Sequence, residues 1–442
     1  MRILGLSSVK AAVVLALLCL ASSLNAQDRA YNAYSPYSMF GIGDLYGQGT
    51  AYNKSMGGVG IAARDKRNFN YLNPASITAR EERNFMADFG LTQGNRYYAQ
   101  GNYNSCNNTF NISNLVISFP IYKSLAFCAG FTPYSDIGYS IYSKYEDPEI
   151  IGRTGSVTEY ADGEGGLGKL FFSTAFNPFK GFSVGIELDH LFGTMQKTSS
   201  SEFNNTSFRS INSGYLMHLK ANSLKLGVQY DFPVGENTSA TIGATYKMAA
   251  NLLGTVKDFE YTNISSVLDT TRNIVTDLSK NKGMVKLASE VGLGVSLRGN
   301  DSWSGEINYS FSDWSKTGMT TVAGFANTGK MSFAASKAQS LRGGVSFVPN
   351  RNDIRYYRKR ITYRAGTYWD RAYYLLDGHP VDAIGITLGA TLPVYRYNNN
   401  VTFGVDFGQR GTKEFNMIRE RYINFHIGID FFEYWFAKPK YD

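Results

Sequence analysis

Apolar and polar residues alternate strictly along several stretches of the chain. From Tyr422 to Phe431 every second residue is apolar, and the positions between them hold Asn, His, Gly and Asp. A period of two over about ten residues is typical of transmembrane β-barrel strands, whose side chains face lipid and lumen in turn. Five more stretches repeat the pattern: Phe182–Asp189, Leu224–Phe232, Val291–Arg298, Ile384–Leu392 and Val401–Gly408.

The polar face of these strands carries charges and glycines. A dry core would not hold isolated charges, because their desolvation costs too much free energy. We therefore predict that this face lines a wet or partly plugged lumen. The lumen-facing candidates are Glu187, Asp189, Lys225, Glu290, Arg298, Asp406, His426 and Asp430.

The connections between strands alternate in length. Short ones, such as Asn177–Gly181 and Pro233–Asn237, separate long ones, such as Gly193–Ala221 and Leu252–Met284. Membrane barrels have short periplasmic turns and longer outer loops, so this alternation yields a strand count. It predicts an all-β fold, a transmembrane antiparallel β-barrel of about 14 strands within residues 85–432.

The N-terminus predicts export. Residues 1–26 have the charged start, apolar stretch and small-residue cleavage site of a signal peptide, so the mature chain is expected to begin at Gln27. No later segment approaches the roughly 18 apolar residues that a membrane helix needs. Cys106 and Cys128 remain after cleavage and do not make a disulfide framework. We predict a bacterial outer-membrane location.

Aromatic residues are abundant, at 14% of the chain, and many fall near predicted strand ends. Rings at these positions suit the membrane interface. The alternative is the general preference of aromatic residues for strands. The tryptophans predicted to lie at the interface are Trp303, Trp314, Trp369 and Trp435.

A glycine-rich stretch, Gly49–Ala79, precedes all the predicted strands. A compact segment of this kind ahead of a barrel suggests a plug in the lumen. It contains an S-x-G-G-x-G-x-A run and an N-P-A motif, which resemble the hatch of the FadL/TodX family of outer-membrane transporters for hydrophobic compounds. The residues that carry this resemblance are Ser55, Gly57, Gly58, Gly60, Ala62, Asn73, Pro74 and Ala75.

The resemblance implies a division of the chain and extends to the third strand. It implies an N-terminal segment with a hatch at 27–84, followed by the barrel. The C-terminal tail expected at 433–442 departs from that family, whose chains usually finish on an aromatic residue that ends the last strand. The segment Leu125–Tyr134 resembles the kinked third strand that opens a lateral portal in this family, with Gly130 and Pro133 as the candidates. Proline cannot donate a ladder hydrogen bond, and glycine favours a bulge. The alternative is an ordinary strand end before a long loop.

Sequence motifs for cofactor binding, catalysis or metal binding occur only as isolated matches. Gly58–Ala63 fits a dinucleotide-binding turn but lacks the surrounding βαβ unit. Gly181–Gly185 fits G-x-S-x-G but begins an alternating strand instead of a strand-to-helix turn. The four histidines are scattered, without metal-ligand spacing. We predict no enzyme activity, no cofactor and no metal.

A basic run, Arg351–Arg364, is interleaved with tyrosines. In a cytosolic protein such a run would suggest nucleic acid. In an envelope protein it favours a solvated turn or contact with lipid headgroups, and no nucleic acid is expected.

The function implied by the resemblance is passive transport of long-chain fatty acids or other small hydrophobic molecules, with a lumenal hatch and a lateral exit. The expected partners are outer-membrane lipid and a hydrophobic ligand. The alternative is a barrel that does not transport and acts as a partner of another envelope protein in secretion or surface attachment. The long outer loops, and a C-terminus that continues past the last strand, allow that alternative.

Overall fold

The computed structural model describes residues 34–79, 84–122, 124–145, 149, 152, 154–205, 207–264, 267–300, 302–326, 331–395 and 399–434. The predicted signal peptide and most of the predicted C-terminal tail, including Trp435, lie outside these ranges. Among the described residues, no helix has the length and apolar character needed to cross a membrane.

Almost all regular structure in the described ranges is β-strand. One short α-helix, α1 (Ala51–Lys54), and 3₁₀ turns at Pro36–Met39, Pro74–Thr78, Met319–Thr321 and Tyr357–Lys359 complete it. The strands are β1 (Asp44–Leu45), β2 (Asn84–Gln100), β3 (Tyr103–Tyr122), β4 (Leu125–Tyr145), β5 (Val157–Phe179), β6 (Phe182–Phe203), β7 (Ile211–Gly235), β8 (Thr238–Lys247), β9 (Ala250–Asn251), β10 (Leu253–Ile264), β11 (Val267–Asp277), β12 (Lys286–Leu287), β13 (Glu290–Gly299), β14 (Trp303–Asp313), β15 (Phe333–Ala335), β16 (Lys337–Phe347), β17 (Thr362–Leu376), β18 (His379–Tyr395), β19 (Asn399–Arg410) and β20 (Arg419–Tyr434).

The sheet closes on itself into a barrel. Every wall strand pairs antiparallel with its neighbours, and β2 pairs with both β3 and β20, which joins the first wall strand to the last. The seventh wall strand consists of β8 and β10, and the eighth of β11 and β13, so the described ranges form fourteen wall strands. The predicted fold class and strand count are confirmed.

Side chains of the wall follow the predicted alternation. In β18, for example, Leu388 is 50% exposed while its neighbour Thr387 is 2% exposed. Outward apolar residues of this kind form a belt that suits lipid, and inward residues are small, polar or charged. The belt includes Leu188, Leu226, Leu293, Ile307, Leu341, Val345, Ile386, Phe403, Phe407, Phe425 and Phe431.

The prediction of an interface position is wrong for Trp314. This residue is buried, and its ring packs against Tyr373 in a tilted arrangement with the centroids 4.7 Å apart. It lies just after β14, in a loop that folds back into the barrel mouth, which strand periodicity alone does not reveal.

One side of the wall is much taller than the other. Strands β5, β6 and β7 have 23, 22 and 25 residues, whereas β14, β16 and β19 have 11, 11 and 12. A tilted barrel strand crosses the bilayer with about 9–11 residues. The tall strands therefore project beyond the membrane, on the side opposite the short turns, which we call the outer side.

Residues 34–79, which we call the lumenal segment, lie inside the barrel. Met56 lies against β16 and β17, Ile61 against β8, Pro74 against β6 and Ala51 against β20. These strands occupy different sides of the closed wall, so only an interior position allows all four contacts.

Candidate functional site

The glycine run of the lumenal segment has no room for side chains. Gly57 and Gly58 adopt φ values of +73° and +77°, a region that favours glycine. A Cβ on Gly57 would lie 2.6 Å from the carbonyl oxygen of Gly343 in β16. Gly60 has ordinary φ, but a Cβ there would lie 2.6 Å from the side-chain amide of Asn53. The run therefore fits closely against the wall and against itself.

Backbone groups of this run bind polar residues of the wall. Gly57 N donates to Oγ1 of Thr387 at 2.7 Å, and Ala62 N donates to the carboxylate of Glu306 at 2.8 Å. Ser55 is buried, and its hydroxyl donates to the carbonyl of Tyr52 at 2.8 Å. These bonds satisfy backbone donors that would otherwise be buried without partners.

The N-P-A motif forms a second anchor. Oδ1 of Asn73 accepts from Ala75 N at 3.0 Å and so caps the 3₁₀ turn that Pro74 starts. Nδ2 of the same residue donates to the carbonyl of Ile61 at 2.8 Å. One side chain thus joins the motif to the glycine run twelve residues earlier.

The first four lumen-facing candidates lie together on β6, β7 and β13. Glu187 and Asp189 are buried, and Nζ of Lys169 lies 3.5 Å and 3.9 Å from their carboxylates. Lys225 donates to the carbonyl of Leu72 at 2.6 Å and so binds the lumenal segment directly. Glu290 lines the cavity described below.

The remaining candidates also face the lumen but lie apart from that group. Arg298 pairs with Asp231 at 2.7 Å and donates to the carbonyl of Arg64. Asp406 accepts from Tyr368 and Asn424 at 2.8 Å and 2.9 Å.

His426 and Asp430 face the lumen from β20, and both are buried. Nδ1 of His426 lies 2.9 Å from Oγ1 of Thr92. Asp430 sits directly across from Asp88 of β2. Asp88 in turn accepts a hydrogen bond from Asn114.

The outer mouth of the barrel is filled by an apolar cluster, which we call the outer cluster. The lumenal segment supplies Tyr37, Phe40 and Ile42, and the wall supplies residues such as Met195 and Met217. The loops after β11 and β14 supply the rest: Leu278, Val285, Trp314, Met319, Val322 and Phe325. Sequence reasoning missed this cluster, because loop residues carry no periodic signal.

Lys197 of β6 ties the outer cluster together. Its side chain is fully buried, and Nζ donates to the carbonyls of Met39 at 2.8 Å, Gly41 at 3.1 Å and Gly324 at 2.8 Å. One ammonium group thus joins the wall, the lumenal segment and the loop after β14. It satisfies all three of its donors in doing so.

A cavity of about 510 Å³ lies in the lumen, and its lining mixes charged and polar groups with apolar side chains such as Leu45, Ile61 and Phe311. Among its lining groups, Arg410 pairs with Asp44 at 2.8 Å and Arg342 pairs with Asp370 at 2.8 Å. The lining also includes Lys54 of the lumenal segment. A ligand placed here would meet charges of both signs as well as apolar surface.

The wall has a seam between β3 and β4. Their ladder begins at the short periplasmic turn and ends at the pair Leu115 and Phe131. Farther out, β3 pairs with β2, whereas the free edge of β4 pairs with β1 of the lumenal segment. The backbone of Tyr46 continues this contact by donating to the carbonyl of Tyr134 at 2.9 Å.

The portal candidates lie at the end of the β3–β4 ladder. A Cβ on Gly130 would lie 2.8 Å from the side chain of Val116 and 2.9 Å from the ring of Phe171, so this glycine allows close packing. The register of β4 with β5 shifts just after Pro133. The register shift therefore lies beside Pro133, which is three residues after Gly130.

The serine of the hydrolase-like motif makes structural hydrogen bonds. Ser183 of the G-x-S-x-G match is buried and bonds Arg64 and Thr78, each at 2.8 Å. Within the described ranges, no group of His, Cys, Asp or Glu residues could hold a metal ion. Cys106 is exposed and Cys128 is buried, and neither of these two residues forms a disulfide.

Comparison with known proteins gives one family and a set of similar folds. A family model described as BamG matches residues 8–442. No curated protein matches the chain. The CymD monoaromatic hydrocarbon channel is similar with a TM-score of 0.55 at 13% identity, covering 88% of this chain and 98% of that one.

Two toluene transporters are similar in the same way. TodX of Pseudomonas putida has a TM-score of 0.55 at 12% identity, with coverage of 91% and 100%. TbuX of Ralstonia pickettii has a TM-score of 0.52 at 14% identity, with coverage of 89% and 98%. At these identities the likeness concerns the fold. The predicted resemblance and the outer-membrane location are confirmed at that level, while the matching family carries a different description.

Proposed function

This chain belongs to the BamG family, and from that premise we propose that it is an outer-membrane barrel acting through contacts with other envelope proteins, in secretion or surface attachment, while its lumen stays closed. The observation that carries this proposal is the filling of the lumen. The outer cluster occupies the mouth, the lumenal segment occupies the interior, and the cavity between them is charged.

The charged groups in the lining of the cavity do not favour the binding of a hydrophobic molecule. A hydrocarbon entering it from the bilayer would leave an apolar environment for one lined by ion pairs such as Arg342 with Asp370. It would also displace water from groups whose desolvation costs free energy. The lumen therefore favours retention of the lumenal segment over passage of an apolar solute.

The barrel offers surfaces for partners on both sides of the membrane. The tall strands β5 to β7 and the loop between β6 and β7 carry exposed apolar residues beyond the bilayer, among them Tyr160, Phe208 and Ile211. On the periplasmic side, the turn between β16 and β17 carries Ile354 and a set of cations. Exposed apolar residues rimmed by polar ones are typical of protein interaction sites.

Passive transport of small hydrophobic molecules, such as long-chain fatty acids, is the second candidate. The end of the β3–β4 ladder beside Gly130 and Pro133 favours it, as does the fold shared with hydrocarbon channels. In this candidate function residues 49–79 act as a hatch, and the ligand leaves sideways through the seam. Unsatisfied backbone groups at bilayer depth are costly, so an interrupted ladder needs a use or a cover.

A disulfide between the lumenal segment and the wall separates the two functions. A Cβ on Gly404 would lie 3.1 Å from that of Ser55, slightly closer than the roughly 3.5–4.5 Å of a disulfide. The double variant Ser55→Cys/Gly404→Cys, in a Cys106→Ser background, should therefore lock the segment in the oxidising periplasm. The matched control carries Ser55→Cys alone.

The readout is the set of outer-membrane and surface proteins, quantified by mass spectrometry. Cells without the protein should lose part of this set, and the locked variant should restore it as fully as the parent does. If the locked variant restores nothing until a reductant is added, movement of the segment is required and the partner proposal fails.

A further inference from the structure

The periplasmic turn between β16 and β17, residues 348–361, is far longer than its neighbours. The turn between β13 and β14 needs only residues 300–302, and that between β5 and β6 only residues 180–181. The long turn contains five cations and a single carboxylate, Asp353. The additional residues therefore give this turn a net positive charge.

The turn is folded, with its own hydrogen bonds. Oδ1 of Asp353 accepts from the backbone N of Arg355 at 2.9 Å and of Tyr356 at 2.6 Å. Its other oxygen pairs with Nζ of Lys359 at 3.3 Å, and Asn350 N donates to the carbonyl of Lys359 at 2.9 Å. A turn held in this way loses little conformational entropy when it binds a ligand.

The end of the turn lies on the lipid-facing side of the wall. Tyr363 is 44% exposed and points outward, since its neighbours Thr362 and Arg364 are buried toward the lumen. Its hydroxyl donates to the carbonyl of Arg358 at 3.2 Å. Tyr357 likewise donates to the carbonyl of Pro393, in the neighbouring strand, at 3.0 Å. The 3₁₀ turn is thus fixed beneath the lipid belt.

Three guanidinium groups here are available to an external anion. Arg355, Arg358 and Arg360 have no carboxylate within ion-pair distance among the described residues. Arg358 lies 6.0 Å from the ring centre of Tyr356, and Arg360 lies 5.7 Å from that of Tyr357. Guanidinium forks match phosphate geometry, and tyrosine suits the headgroup level.

We propose that Arg355, Arg358 and Arg360, with the tyrosines around them, form a binding site for the phosphate of an anionic phospholipid in the periplasmic leaflet. The site combines unpaired cations, aromatic rings and a fixed position at the lower edge of the lipid belt. It needs no movement of the barrel and is independent of whether the lumen conducts.

Native mass spectrometry of the full-length protein in detergent tests this site, with phosphatidylglycerol or phosphatidylcholine added. The parent should retain phosphatidylglycerol preferentially. The variant Arg355→Gln/Arg358→Gln/Arg360→Gln should bind it about 100-fold more weakly, because each cation near an anionic headgroup contributes about 1 kcal/mol. A matched control, Lys282→Gln/Lys316→Gln/Lys413→Gln, removes the same charge from exposed positions on the outer side and should bind like the parent.

Two results would overturn the proposal. One is equal retention of both lipids by the parent, and the other is unchanged phosphatidylglycerol binding by the triple arginine variant. A photo-crosslinker in place of Arg358 in cells gives an independent reading, with a lipid adduct as the expected product. A protein adduct without a lipid adduct would assign the turn to a protein partner instead. Normal heat-modifiability of the triple variant shows that the barrel is folded.

Discussion

Gly57 of the lumenal segment meets glycines of the wall at a point where no side chain fits. A Cβ on Gly57 would lie 2.6 Å from the carbonyl oxygen of Gly343, and one on Gly366 would lie 2.7 Å from Cα of Gly57. The glycine run was visible in the sequence. Its wall partner was not, because Gly366 looks like any other small lumen-facing residue until the segment is placed against it.

The first prediction uses this contact. Gly366→Ala should destabilise the folded barrel by about 1–3 kcal/mol, because the added methyl group overpacks against backbone. The measurement is the temperature at which the heat-modified band appears on gels. The neighbouring Gly343→Ala is the control, since a Cβ there meets nothing within 4 Å. Equal temperatures for the two variants would show that the segment does not press on β17.

At the scale of elements, the barrel mouth is closed by pieces that are distant in sequence. Lys197 of β6 holds the carbonyls of Met39, Gly41 and Gly324, so one side chain fastens the lumenal segment and the loop after β14 to the wall. The tie explains how apolar loop residues stay in the mouth and do not extend into solvent.

The second prediction concerns this tie. Lys197→Met should loosen the loop around Gly324, because each buried carbonyl that loses its donor costs roughly 1–3 kcal/mol. Limited proteolysis of the folded protein should then cut within residues 314–326 faster than in the parent. Lys413→Met, on an exposed outer loop, should behave like the parent. Unchanged cleavage of the Lys197 variant would show that the outer cluster holds the loop without the lysine.

The sequence predicted the strands well and the closure poorly, for a physical reason. Strands such as β18 and β20 alternate in burial because one face contacts lipid and the other faces the lumen. The same two-residue period appears in the sequence as alternating apolar and polar residues. Trp314 and Phe325 lie in loops, where burial depends on tertiary contacts alone. Lys197 fell within the predicted connection Gly193–Ala221, whereas the structure places it in β6. Its role was not visible because its partners are backbone carbonyls from elsewhere in the chain.

At the scale of the whole molecule, a barrel whose fold is similar to that of hydrocarbon channels encloses a largely filled lumen. The fourteen-strand wall is similar to that of the hydrocarbon channels, whereas the outer cluster and the cavity with its ion pairs belong to the contents of the lumen. The residues that fill the lumen, more than the barrel wall, decide whether a solute can pass.

The central claim, that the lumen admits no hydrophobic solute, can be tested by uptake. Gly47 lines the cavity beside the seam, and a Cβ there meets nothing within 4 Å, so a side chain can start at this position and Gly47→Trp should obstruct the opening. Gly235→Trp, in a periplasmic turn with equally open space, is the matched control.

The measurement is the initial rate at which a bacterial host takes up a hydrophobic fluorescent probe. Hosts producing the parent, either tryptophan variant or no protein should all show the same rate. A faster rate with the parent and with Gly235→Trp, lost in Gly47→Trp, would contradict the account and establish transport through the seam.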